Sequence, residues 1–200
     1  DYGKITTKEL LAENKKLSFD YTNNTYFEYI NSGKIDADYS SFTVGKTKNL
    51  EVVADYTKSV IEIAENVTYN CDYGSFTINE VNRLKGNGDY LTSRIGNVYK
   101  SLEIEADYGS IKIDKLGTNV ELVKIDSDYV GITIGYHTDA TFNFKIDLDY
   151  ASLKHPDAFE FTKKRIESTS KYYEGFVKVG NSGHNIIINS DFGSVTFKEN

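Results

Sequence analysis

Methionine and tryptophan are missing from this 200-residue chain, and proline and cysteine occur once each. Each scarcity excludes something. A single proline suits long, unbroken strand pairing, because every proline removes a ladder hydrogen bond. The lone Cys71 forms no intramolecular disulfide. It falls where other copies of a repeat carry Ala, Ser or Gly, so it reads as a small buried thiol. No window approaches the ~18 apolar residues of a membrane span. Positive charge is also short: 23 Lys and Arg face 30 Asp and Glu, a formal net charge of −7. That balance argues against nucleic acid or an anionic membrane as partner, since both select basic patches. The only histidines are His137, His155 and His184, and the only arginines are Arg83, Arg94 and Arg165. With no HExxH and no Cys–His cluster, neither metal hydrolysis nor nucleophilic catalysis has a visible constellation. Gly86-Asn87-Gly88 is followed by no helix that would supply a phosphate-binding dipole.

What is abundant is tyrosine, 16 residues, and its placement is periodic. Asp-Tyr pairs begin at Asp1, Asp20, Asp38, Asp55, Asp72, Asp89, Asp107, Asp128 and Asp149, and an Asp-Phe variant begins at Asp191. The steps are 19, 18, 17, 17, 17, 18, 21, 21 and 42. The last step is twice 21, and a degenerate copy, Lys171-Tyr172, fills the gap. Eleven copies of one unit therefore cover residues 1–200 as a single domain.

Parity gives the local structure. Leu50, Val52, Ala54 and Leu102, Ile104, Ala106 alternate with polar residues, the period of a strand with one buried face. Carried forward, the alternation predicts that the tyrosine rings point inward and the aspartates outward. After each tyrosine the parity slips by one, as between Tyr108 and Ile111, which predicts a corner or bulge. Because Val130 and Thr57 occupy the usual glycine position, that position does not demand a positive φ. Units this short bury a core only by stacking. The expected fold is all-β: a single-stranded parallel β-solenoid, right-handed coil favoured, of ten to eleven coils about 4.8 Å apart. Tyr39, Tyr56, Tyr73, Tyr90, Tyr108, Tyr129, Tyr150, Tyr172 and Phe192 are expected to form one internal aromatic stack. Helical caps or excursions are expected at most over 6–17 and 158–169.

Stacking also aligns the aspartates, and like charges facing across strands destabilise. Three remedies compete. The carboxylates accept backbone N–H groups at the corner. Lysines such as Lys34, Lys124 and Lys145 neutralise them. Or the double columns Asp36/Asp38, Glu105/Asp107, Asp126/Asp128 and Asp147/Asp149 hold a hard cation such as calcium. The first two are favoured; no cofactor and no catalytic residue is expected.

The repeated φ-x-small-Asp-Tyr-Gly-Ser-φ-x-φ unit, closed by GFVKVGNSGHNIIINSDFGSVTF (residues 175–197), resembles the adhesin-type head domains of Bacteroidetes-type bacterial envelope proteins. The resemblance spans essentially the whole chain. It implies a β-helical fold, a periplasmic, surface-anchored or secreted location, and no established catalytic set. The chain begins in mid-pattern at Asp1-Tyr2-Gly3, so removal of an upstream leader is expected. The expected function is non-enzymatic recognition of a glycan or protein through the side faces. Tyr26, Phe27, Tyr136, Phe159 and Tyr173 are candidate exposed contacts. A polysaccharide-lyase-like enzyme and a structural domain pairing through its ends, as a homodimer, are the alternatives.

Overall fold

The computed structural model describes residues 3–11 and 15–200; the first Asp-Tyr pair lies outside the described residues. Among the described residues, fourteen strands form one continuous sheet system: β1 (Thr6–Leu10), β2 (Lys15–Ser18), β3 (Thr25–Asp36), β4 (Ser41–Asp55), β5 (Lys58–Asp72), β6 (Gly74–Asp89), β7 (Leu91–Leu116), β8 (Leu122–Tyr136), β9 (Phe142–Asp149), β10 (Ser152–Lys154), β11 (Phe159–Ile166), β12 (Ser170–Val177), β13 (Asn185–Asp191) and β14 (Ser194–Glu199). The chain is a parallel β-solenoid of about seven turns, the expected class with fewer coils. The described parts of both suspected helical segments are strand: β1 and β2 in the first, β11 in the second.

From β3 to β8, each strand pairs in parallel with the next, one repeat later. The repeat sets the register: Val52 faces Tyr69, Ala54 faces Cys71 and Asp55 faces Asp72. Inward residues alternate along the flat sides. At the return, the spacing opens to three: Ile61, Ala64 and Val67 are buried, with two more accessible residues between each pair. Those bends close the coil around a continuous aliphatic core, Ile35, Val44, Val52, Ile61, Ile78, Ile95, Ile104, Ile113, Ile125 and Ile134 among its members. Tyr69 is buried with them, and Gly86 on the next rung is its counterpart: a Cβ there would fall inside the Tyr69 ring. Cys71 is buried, and burial pushes its thiol up to about 12, the inert packing role expected for it.

Beyond β8, chain order and spatial order part. The sheet runs β8–β13–β9–β12–β11. β13 lies between β8 and β9, parallel and in register with both, so Ile188 faces Ile125 on one side and Ile146 on the other. β14 lies likewise between β8 and β10. The copy at Lys171-Tyr172 is not a coil: β12 runs antiparallel to β9, and β11 antiparallel to β12. This hairpin covers the end of the solenoid. Its outer strand exposes Glu160, Lys163, Lys164 and Arg165, charges that blunt an edge against further pairing.

Candidate functional site: the tyrosine ridge and its acidic columns

The Asp-Tyr corner is built differently from the parity expectation. Every described Asp-Tyr or Asp-Phe corner places its aromatic residue in the left-handed region: Tyr21, Tyr39, Tyr56, Tyr73, Tyr90, Tyr108, Tyr129, Tyr150 and Phe192 have φ between 49° and 57°. The positive φ sits one residue before the glycine position, which explains why Thr57 and Val130 are tolerated there. A left-handed residue turns the chain, so aspartate and aromatic both project outward, and Thr22, Ser40, Thr57, Leu91, Val130 and Ala151, each next in the chain, resume the inward face. The rings are therefore outside the core. They are 44% (Tyr108) to 60% (Tyr150) exposed, where an internal stack was expected. The small inward residues Ala37, Ala54, Cys71, Ser127 and Ser190 are buried in the narrow corner beneath the ridge, rather than making room for a ring.

The stacking itself follows the expectation. Tyr21, Tyr39, Tyr56, Tyr73, Tyr90, Tyr108, Tyr129, Phe192 and Tyr150 form one column, with neighbouring centroids 4.8–5.2 Å apart and planes within 7°. Phe192 stands between Tyr129 and Tyr150 because β13 is inserted there. Tyr172 is not part of the column; it lies on β12, its hydroxyl donating to Glu174 (2.7 Å) and Lys163 Nζ 5.1 Å from its ring centre. The ring faces within the column cover one another, so the ridge presents ring edges and phenol hydroxyls. Partial loss of solvent raises the Tyr73 and Tyr108 hydroxyls above their usual range, helped by the charges of the adjacent tyrosines and aspartates.

Aspartate has a defined task at this corner. The tyrosine N–H donates to the aspartate carbonyl of the next rung: Tyr39 to Asp55 (3.0 Å), Tyr56 to Asp72 (3.0 Å), Tyr73 to Asp89 (3.0 Å). The aspartate N–H instead meets the carboxylate of the preceding rung: Asp38 to Asp20 (3.2 Å), Asp55 to Asp38 (3.0 Å), Asp72 to Asp55 (3.2 Å), Asp89 to Asp72 (2.8 Å). Asp107 and Asp149 donate in the same way to Asp89 and Asp191. The column tolerates much of its own charge because the carboxylates of Asp20, Asp38, Asp55, Asp72, Asp89 and Asp191 each accept a corner N–H. Repulsion persists: burial first, then the neighbouring aspartates, raises Asp89 and Asp191. Asp149 ends the column, and one of its carboxylate oxygens is buried without a partner. Ser40 and Thr57 form a parallel ladder, with Ser40 N–H donating to Thr57 Oγ1 (3.0 Å) and both hydroxyls donating to aspartate carbonyls.

The second acidic column, two residues earlier, is where lysine acts. Lys124 pairs with Asp126 (2.7 Å) and Lys16 with Asp36 (2.9 Å), while Lys34 reaches across to Glu51 (2.8 Å). Burial would raise Asp126, but hydrogen bonds from Lys124 and Asn189 outweigh it and hold the carboxyl below its usual range. Lys145 lies near the Tyr172 ring, 5.9 Å from its centre. Between the two columns is an open depression of about 570 Å³, lined by Asn87, Asp89, Glu105, Asp107, Asp126 and Asp128. Of these, Glu105, Asp107, Asp126 and Asp128 are calcium candidates; Asp36, Asp38, Asp147 and Asp149 lie on other rungs. Among the described residues, no three acids, histidines or cysteines gather as a metal group.

Other expectations disperse. Phe27, Tyr136, Phe159 and Tyr173 are buried, and only Tyr26 of the five suggested contacts is exposed. Tyr99, outside the Asp-Tyr period, is 42% exposed on the return bend. The three histidines act locally: His137 accepts the Asp139 N–H (3.0 Å), His155 lies against Phe159 and Phe161, and His184 bonds the Val120 carbonyl (2.9 Å). On the other flank, Ser41/Thr43, Ser75/Thr77 and Ser194/Thr196 set hydroxyl pairs beside the ridge. Comparison with protein-family models, curated proteins and solved structures finds no match to this chain.

Proposed function

We infer that the protein is a non-enzymatic binding module of the adhesin type, displayed at the cell envelope, periplasmic or surface-exposed. It recognises a glycan or protein strand laid along the tyrosine ridge. One observation carries this reading: nine aromatic residues hold a left-handed backbone and leave about half of each ring in water. A left-handed conformation costs a non-glycine residue roughly 1–2 kcal/mol. A stacked aromatic pair returns roughly 0.5–1.5 kcal/mol. The two nearly offset, so stability alone gives little reason to prefer tyrosine over Asn or Gly, which take this backbone more readily. What tyrosine adds is a rigid, amphipathic contact edge that loses little entropy on binding. The flanking carboxylates and the net charge of −7 favour neutral or cationic polymers over polyanions.

The test is an array of linear glycans and extended peptides, scored for retention and for release of unsaturated sugars. Wild type is expected to be retained without turnover. The triple variant Tyr73→Asn, Tyr90→Asn, Tyr108→Asn keeps a residue that tolerates the corner and is expected to lose retention at least tenfold. Equal retention by both proteins, or turnover, overturns the reading.

A further inference from the structure

We propose that the β13–β14 strand pair exchanges between molecules, residues 185–199 of one copy entering the slot between β8 and β9–β10 of a second copy. The insertion is lateral: β13 and β14 enter between coils that precede them in the chain. Both walls of the slot are parallel ladders of this repeat, with matching registers. Ile186 faces Val123 and Phe144, Ile188 faces Ile125 and Ile146, and Val195 faces Ile132 and Leu153. The occupant that fits is a strand with this inward pattern, and a second copy carries one identical in every residue. The fit extends to the ridge, where Phe192 completes the column between Tyr129 and Tyr150.

Ile188 pairs with Ile125 and Ile146 at equivalent positions, so the two walls keep matching registers for an incoming β13 when the chain's own β13 withdraws. The withdrawn segment would expose Ile186, Ile188, Val195 and Phe197, all now buried. That apolar face drives it into another slot. The tether suits the exchange. Residues 178–184 are largely exposed, and Lys178, Asn181 and Gly183 have φ of 63°, 58° and 79°. A few polar contacts hold it, such as the Asn181 N–H to Asn143 Oδ1 (2.9 Å). Strand addition through main-chain pairing, with alternate side chains giving specificity, is an established route to association.

The experiment uses the full chain and a biotinylated peptide of residues 181–200, incubated below the melting temperature and read by native mass spectrometry. The expected result is uptake of one peptide per chain, and no uptake of the same peptide carrying Ile188→Asp. Without peptide, the dimer fraction should rise about tenfold for a tenfold rise in concentration while dimer is the minor species. Deleting Gly180–Ser182, which shortens the tether, should shift the chain further toward dimer. If that deletion prevents folding, the peptide measurement still decides. No uptake, with amide exchange over 185–199 as slow as over β4–β6, overturns the proposal. So does a dimer that forms without uptake.

Discussion

Two regions use the same repeat to different ends. From Tyr21 to Tyr129, each rung follows its predecessor in chain and in space, and the ridge grows one ring per turn. From His137 onward, the rung after Tyr129 is Phe192, the next is Tyr150, and the copy at Tyr172 turns antiparallel to cap the end. The contrast separates what a repeat specifies from what it leaves open. It specifies the shape of a rung: an alternating inward face, a left-handed aromatic corner and a carboxylate for the corner N–H. It does not specify which rung lies next to which, because every copy offers the same register.

The largest test of that contrast lies in the two cores. Ile95→Ala in the body and Ile188→Ala in the inserted strand each remove a fully buried side chain and should cost about 2–5 kcal/mol in urea unfolding. Hydrogen exchange should tell them apart: Ile188→Ala accelerates residues 185–199 first, whereas Ile95→Ala loosens the body. Gly86→Ala forces a methyl into the Tyr69 ring and should cost about 1–3 kcal/mol.

Smaller effects probe the corner. Tyr90→Ala loses two stacking contacts without relieving the backbone, so about 1–3 kcal/mol should be lost. Tyr90→Asn should lose less, because Asn takes the left-handed region more readily. Tyr172→Asn, off the ridge, should leave the ladder's near-ultraviolet circular dichroism intact.

Asp89 and Asp191 shift in the opposite direction from Asp126. Asp89 and Asp191 are raised on folding, so their contribution is present below the unfolded pKa of about 3.9 and is lost as pH rises through their folded values. Asp89→Asn keeps an oxygen for the Asp107 N–H and removes a charge. It should melt higher than wild type at pH 7, with the gap closing as pH falls below about 4. Asp126 is lowered; its contribution is present above the unfolded pKa and is lost as pH falls through the folded one. Asp126→Asn should therefore melt lower at pH 7, again with a gap that closes in acid. Calcium should have the smallest effect, with no rise in melting temperature, because Asp38, Asp55 and Asp72 already accept N–H groups and Lys124 already pairs with Asp126.

Much of this was legible in the sequence. The Asp-Tyr spacing implied a stacked parallel solenoid, and the parity slip marked the corner. The ring direction was misread because alternation was carried one residue too far. In Ala54-Asp55-Tyr56-Thr57, the left-handed Tyr56 makes two successive side chains outward and returns Thr57 to the core. The slip held that information: a parity change requires two neighbours on one face, and Asp-Tyr was the pair. A helical excursion over 158–169 was expected, although Phe159 and Phe161 already alternated. The insertion of β13 was not legible, since β9 and β13 match β8 equally well. Only the doubled step of 42 hinted that the last copy stood apart.

The direction of the rings bears most of the functional reading, and tyrosine footprinting of the native protein measures it. Nitration mapped by mass spectrometry should label Tyr39, Tyr56, Tyr73, Tyr90, Tyr108 and Tyr129 readily, while Tyr69 and Tyr136, at 2% and 0% exposure, stay protected until unfolding. Protection of the ladder tyrosines to the same degree as Tyr69 would place them in the core and contradict the account.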